Sequence, residues 1–199
     1  MDENATADNP FARLVSLACH DLRTPLATVV GFAHTLMRQG ELQEPADRYV
    51  EMIGAAAAQL GELVDELSLG ARIEAGRYDP VLREVDTLVL ARSAAESLGE
   101  ERVAVEGTGA TVELDVDSTE RAVAALAQCA LRHGGLEQVR LGVRGAELTL
   151  APVTPASAPV LLGEDLRDLG AAIAGLAIRA QGGDVTLAGD ELHVSLPGS

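Results

Sequence analysis

The chain has no lysine and no tryptophan, and it holds only two phenylalanines, two tyrosines and two cysteines. Every cation is therefore an arginine: 15 basic residues stand against 31 acidic ones, for a net charge of −16. Nucleic-acid binders present a basic stripe, and anionic membrane surfaces attract basic segments. This chain offers neither, so no nucleic acid and no membrane is expected among its partners. Its acidity favours solubility and a partner with a basic face. With so few aromatics, any core is built from Leu, Val and Ala. Small side chains bury little area each, so an alanine-rich helix gains from a partner helix or a second subunit. Neither cysteine, Cys19 or Cys129, shows a nearby second ligand at metal spacing. No metal site is expected, and the chain reads as reduced and cytoplasmic. There is no run of 18 apolar residues, which excludes a bilayer-spanning helix. The opening MDENATADNP is polar and acidic, unlike a signal peptide.

What is present is helical periodicity in the first part of the chain. Asp8 or Asn9 can cap a helix with Pro10 at its first position. A seam then follows at alternating spacings of four and three: Phe11, Val15, Ala18, Leu22, Pro25, Val29, Phe32 and Leu36. GELQEP, residues 40–45, is a turn, with Pro45 opening the next helix. A second seam runs Tyr49, Ile53, Ala56, Leu60, Leu63 and Leu67, and Val50, Ala57, Val64 and Ala71 widen the apolar face. Gly76 closes this helix. Two long helices joined by a short turn form an antiparallel hairpin. Alone it would leave much apolar surface wet. Either the rest of the chain covers it, or two hairpins form a four-helix bundle in a homodimer through residues 10–76. The homodimer is the preferred expectation.

The texture changes near residue 80, with a boundary in GRYDP. Residues 86–98 read as a helix, 102–107 and 110–116 as strands, and a helix capped by Asp117 or Ser118 runs through Arg132. Residues 139–152 read as a strand pair, 153–159 as a loop, 166–183 as a helix ending on glycines, and DVTLAG with ELHVSLPG as a closing hairpin. Helices mixed with hairpin-like strands predict a two-layer α/β sandwich.

The chemistry concentrates in HDLRTPLATVVGF, residues 20–32. His20 falls off the seam, near the solvent side, and Thr24 lies four residues on, over the same face. Ala27 and Gly31 leave that face open. Asp21 can lie at the edge of the imidazole. Pro25 removes a backbone hydrogen bond and crowds the carbonyl of Asp21, so a bend is expected beside the histidine. A neutral imidazole is a good nucleophile near pH 7. An adjacent carboxylate can orient the ring and take up its proton as it attacks phosphorus, and a threonine hydroxyl one turn away can position water on a nearby phosphoryl group. Spacing alone equally suits an exposed histidine on an ordinary helix. Arg23 reads as a phosphate or receiver contact, or else as a solvated charge. His34 reads as partly covered, His133 as a cation suited to a helix end, His193 as surface, and Cys19 as a small packing residue.

HDLRTPL followed by an apolar helix closely resembles the phosphoacceptor box of sensor histidine kinases. That box runs His, then Glu or Asp, two residues, Thr or Asn, then Pro, and His20, Asp21, Thr24 and Pro25 match it position by position. The resemblance covers residues 10–76. It implies a dimerisation and histidine-phosphotransfer hairpin in which His20 carries a phosphoryl group. It also implies that Asp21 assists the transfer and that Thr24 supports dephosphorylation of the partner regulator. Residues 80–199 then resemble, in layout, that family's two-layer ATP-binding domain. The expected fold is thus an α-helical hairpin that forms a four-helix bundle by dimerisation, followed by a two-layer α/β sandwich resembling the histidine kinase ATPase fold.

The nucleotide residues of that domain do not carry over. Aligning ALRH with the family's asparagine helix puts Cys129 and Ala125 at the asparagine positions. The strand ELTL is followed by APVTPASAP, without the family's Asp-x-Gly-x-Gly. The glycine-rich phosphate segment keeps Gly170, the helix and the Gly-Gly-strand ending but not the other phosphate-side glycines, and the lid segment is missing. A backbone cradle around a triphosphate needs glycines for close approach. ATP is therefore not an expected ligand and no cofactor is expected to bind stably. Mg²⁺ would come from a partner receiver. The preferred reading is a histidine phosphotransfer protein passing a phosphoryl group through His20 between response-regulator receiver domains. One alternative is an ATP-dependent kinase core with a divergent nucleotide site. The other is a non-catalytic scaffold that binds regulators.

Overall fold

A computed structural model describes residues 10–39, 45–99 and 101–197. The expected caps Asp8 and Asn9, and the turn residues 40–44, lie outside them. The chain divides into two compact units, Met1–Arg77 and Tyr78–Ser199.

The first unit is a pair of helices, α1 (Pro10–Gln39) and α2 (Ala46–Glu74). Pro10 begins α1, where its missing N–H is no loss. Gly76 closes α2 in the left-handed region, with φ of +61°, and the amide of Arg77 donates to the carbonyl of Arg72 at 2.8 Å. The helices meet through small side chains: Cys19 and Ala33 on α1, and Gly54, Ala57, Val64 and Ala71 on α2 are buried. A Cβ at Gly54 would sit in ordinary contact with Ala33 Cβ, at 3.7 Å. This reverses the sequence-based assignment within the chain. The large heptad residues do not fill the contact between α1 and α2. Phe32 is 67% exposed, Tyr49 59% and Leu60 51%, and Leu22, Val29, Leu36, Ile53, Leu63 and Leu67 are exposed as well. The physical reason is volume: only small residues allow two backbones to approach closely. The side chains of Phe11 and Ala18 lie outside those described.

The second unit has two layers. Its main sheet has five strands in the order β2 (Val103–Gly109), β4 (Val139–Gly145), β5 (Glu147–Ala151), β7 (Glu191–Ser195) and β6 (Asp184–Ala188). The β2–β4 pair is parallel and the others are antiparallel. A separate two-stranded sheet pairs β1 (Leu82–Asp86) with β3 (Thr111–Asp115). Strand alternation turns Val139, Leu141, Val143, Leu148, Leu150, Leu192 and Val194 inward. There they meet helices α3 (Thr87–Glu96), α4 (Val116–Gly134), the short α5 (Ala158–Leu161) and α6 (Leu169–Ala180). Leu90, Leu126 and Ile178 are each at most 2% exposed in that layer.

The expected strands and helices are all present, with shifted ends. The exposed strand β1 was not expected, because LREVD carries no apolar alternation. The α4 cap is Asp115, not Asp117 or Ser118: its carboxylate accepts from the Ser118 amide at 3.0 Å. Helix α6 is shorter than 166–183, since the Asp168 carboxylate accepts from the Ala171 amide at 3.1 Å and sets its start. The expected loop 153–159 ends in a helix, since α5 begins at Ala158 and runs past it to Leu161. Thr87 is fully buried and ties three segments together: its hydroxyl donates to Gly145 O at 2.6 Å and accepts from the Ala110 amide at 3.0 Å. Gly107 has φ of +121°, and a Cβ there would collide with the Val143 carbonyl on the neighbouring strand. Among the described residues, no helix is long and apolar enough to cross a membrane.

Leu126→Ala removes buried methyl groups from the layer between helices and sheet, and it is expected to cost about 2–5 kcal/mol. Leu166→Ala, at a residue 78% exposed, is expected to change stability by no more than about 0.5 kcal/mol. Urea unfolding of the two variants measures both.

Candidate phosphoacceptor site

Helix α1 runs unbroken through Pro25. Proline has no amide hydrogen to give the Asp21 carbonyl, so this turn is held by fewer backbone bonds than its neighbours. His20, Thr24, Ala27 and Gly31 are all exposed, and a Cβ at Gly31 would meet nothing within 4 Å. One face of α1 is thus open around the imidazole. The side chain of Asp21 lies outside the described residues. Thr28 spends its hydroxyl on the Thr24 carbonyl at 3.0 Å.

Arg23 is not a free phosphate-binding cation. Its Nη2 and Nε donate to Asp65 Oδ1 at 2.8 and 3.1 Å, so it clasps α1 to α2 one turn from His20. Both side chains are half exposed, so the pair contributes at most about 1 kcal/mol. Its use is to fix the rotation of α1 against α2. Cys19, next to His20, points into the contact between the helices and is fully buried. Burial pushes its thiol up from the ordinary range, with Arg23 pulling it back and Asp65 adding to the rise. His34 is exposed rather than partly covered. His193 lies on the interior strand β7, its side chain partly exposed, with Nδ1 2.9 Å from Glu147 Oε1.

A second cluster lies at the end of α4. Cys129 is fully buried, and His133 Nε2 and Arg132 Nη1 reach the same oxygen of Asp168, at 3.1 and 3.3 Å. Asp168 also caps α6, so the first amides of that helix already face a carboxylate of the chain itself. Helix N-termini attract phosphate because their amides are unpaired; here that place is partly taken. Thr154 and Ser157, in the segment after β5, bond to each other and to each other's backbone. Sequence reasoning assigned Cys129 no second ligand. The structure corrects this, bringing it together with His133 and Asp168. The missed signal is C-x-x-x-H, which stacks two side chains on one helical face. Asp168 was not foreseeable, because it comes from a separate helix.

The Cys129 thiol is pushed up to about 12 from an ordinary value of 9.0, by burial first and by Asp168 next, while Arg132 lowers it. An unfolded chain gives up this proton near the ordinary value and the folded chain holds it to about 12. The stabilisation is therefore complete below pH 9.0 and is lost as pH rises toward 12. Denaturant midpoints measured from pH 8 upward are expected to fall more steeply for the natural chain than for Cys129→Ser.

Residues 12–76 match the His Kinase A (phospho-acceptor) domain. The chain thus carries a His Kinase A hairpin, followed by an α/β domain whose fold resembles that of the histidine kinase ATPase domain. Sensor protein DivL of Caulobacter vibrioides is 30% identical over 92 residues, which are 46% of this chain and 12% of DivL. An uncharacterized sensor-like histidine kinase of Rhizobium meliloti is 32% identical over 80 residues, 39% of this chain and 15% of that protein. The chain therefore spans less than a sixth of these relatives. Among solved structures, full-length ShkA in complex with AMPPNP superposes with a TM-score of 0.67 at 22% identity, covering 92% of this chain and 44% of that one. Acinetobacter baumannii histidine kinase AdeS gives 0.57 at 16% identity, covering 89% and 96%. At these identities the likeness establishes the fold.

Proposed function

We propose that this protein is a histidine phosphotransfer protein of a two-component phosphorelay, with His20 as the carrier. The observation that supports this most is the open face around His20 on a His Kinase A hairpin. The aligned nucleotide positions of the same chain hold a buried cysteine and an alanine. An imidazole nitrogen attacks the phosphorus of a receiver's aspartyl phosphate. The N–P bond forms, the bond from phosphorus to the aspartyl oxygen breaks, and the Asp21 carboxylate takes the ring proton. The second receiver runs the step in reverse. Mg²⁺ is supplied by the receiver's own acidic pocket, so the hairpin needs no metal for this chemistry. Thr24, one turn from His20, serves dephosphorylation by placing water.

The acceptor works as a homodimer in this reading. The exposed stripe of Leu22, Val29, Phe32, Ile53, Leu60 and Leu63 repeats at heptad spacing, and pairing it with a second copy gives a four-helix bundle. Leu60→Glu is expected to convert a dimer to a monomer in sedimentation equilibrium without loss of helix by circular dichroism.

A second reading is an ATP-dependent kinase core. It is favoured by the fold shared with ShkA, a protein solved with AMPPNP. Calorimetry with Mg-ATP separates the two: the phosphotransfer reading expects no binding at micromolar nucleotide. With a labelled phospho-receiver, His20→Ala is expected to accept no label. Thr24→Ala is expected to accept label at the normal rate but to leave the receiver phosphate longer-lived. A His20→Ala chain that still accepts label would overturn the assignment.

A further inference from the structure

The end of α4 and the start of α6 bring three metal-binding side chains together. Cys129 and His133 are one helical turn apart on α4, and Asp168 is the cap of α6. Their ligand atoms all lie within 4.8 Å of one another. The His133 Nε2 to Asp168 Oδ2 separation is 3.1 Å. Ligands bound at about 2.0–2.3 Å around a tetrahedral zinc ion stand roughly 3.3–3.8 Å apart. The His133–Asp168 pair therefore opens by a few tenths of an ångström, and a closing movement of about 1 Å at most brings Cys129 to an ion of that size.

The site is sheltered and held. Cys129 is fully buried, and the side chains of Asp168 and His133 are 9% and 19% exposed. One oxygen of Asp168 is fixed by the Ala171 amide, which orients the other toward His133. Arg132 is the group that opposes a cation here, and it is 57% exposed with a long stem that can turn to water. Thiolate, imidazole and carboxylate together suit zinc-class ions, whereas magnesium prefers an all-oxygen shell.

We propose that the second unit holds one zinc-class divalent ion on Cys129, His133 and Asp168, clamping the end of α4 to the start of α6. Binding breaks the S–H bond of Cys129, forms a metal–sulfur bond and releases one proton to solvent, with no change of oxidation state. Three protein ligands leave one tetrahedral position for water or for a donor from a binding partner. The ion would stabilise the fold by binding the native unit in preference to the unfolded chain. This inference concerns the second unit and stands apart from the role of His20.

The test uses the full chain stripped with a chelator. Zn²⁺ is titrated by calorimetry in two buffers of different ionisation heat, and Co²⁺ is used as the spectroscopic probe. The expected result is one equivalent bound, about one proton released, and a near-ultraviolet thiolate-to-cobalt band. Cys129→Ser should lose that band and Cys19→Ser should keep it. His133→Ala and Asp168→Asn should each weaken binding roughly tenfold or more, and asparagine keeps the α6 cap. Circular dichroism checks the folding of each variant. If Cys129→Ser fails to fold, the His133 and Asp168 variants decide. Absence of saturable micromolar binding would overturn the proposal, as would a band that survives Cys129→Ser or disappears with Cys19→Ser. His20→Ala should bind zinc normally, so a chain that transfers phosphate but holds no zinc refutes this inference alone.

Discussion

The close approach of α1 and α2 through Cys19, Ala33, Gly54 and Ala57 is the constraint on which the first unit depends. Because small residues take the inner face, the bulky heptad residues cannot also lie there. They form an outward-facing, exposed apolar stripe. Because Cys19 faces inward, its neighbour His20 faces out, and Thr24 follows on the same exposed side. The Arg23–Asp65 clasp then fixes the rotation of one helix against the other beside that histidine. The outward placement of His20 and that of the bulky apolar stripe are both consequences of which side chains are small.

In the second unit the sheet and helices keep their apolar core while the polar groups bond among themselves. Thr154 and Ser157 satisfy each other, Asp168 caps α6, and Arg132 and His133 turn to Asp168. A fold of this kind needs its leucines and valines to persist, and it does not need its surface loops to keep a ligand. Core residues such as Leu126, Leu148 and Leu192 hold the layers together whatever happens at the end of α4. Residues there are free to take on other chemistry.

Much of this was legible in the sequence, for physical reasons that differ by element. The heptad spacing announced two helices, and strict alternation announced the strands that face one layer of helices. The box from His20 to Pro25 is local, so four residues carry its meaning together. Three features were hidden. Strand β1 is exposed except at Val85, which packs partly buried against the core, so LREVD has no apolar period to read. The choice between large and small seams depends on whether one chain or two is packed, and period alone is the same in both cases. Asp168 meets Cys129 and His133 only after α4 and α6 pack, across 35 residues from His133.

In the proposed relay, phosphate reaches His20 from a receiver aspartate. The most direct measurement is peptide mapping by mass spectrometry under conditions that preserve phosphohistidine. The full chain is incubated in parallel with a phosphorylated receiver and with Mg-ATP alone. Phosphate is expected on the peptide containing His20 in the first incubation and none in the second. Phosphate on His20 from ATP alone, or none from the receiver, would contradict it.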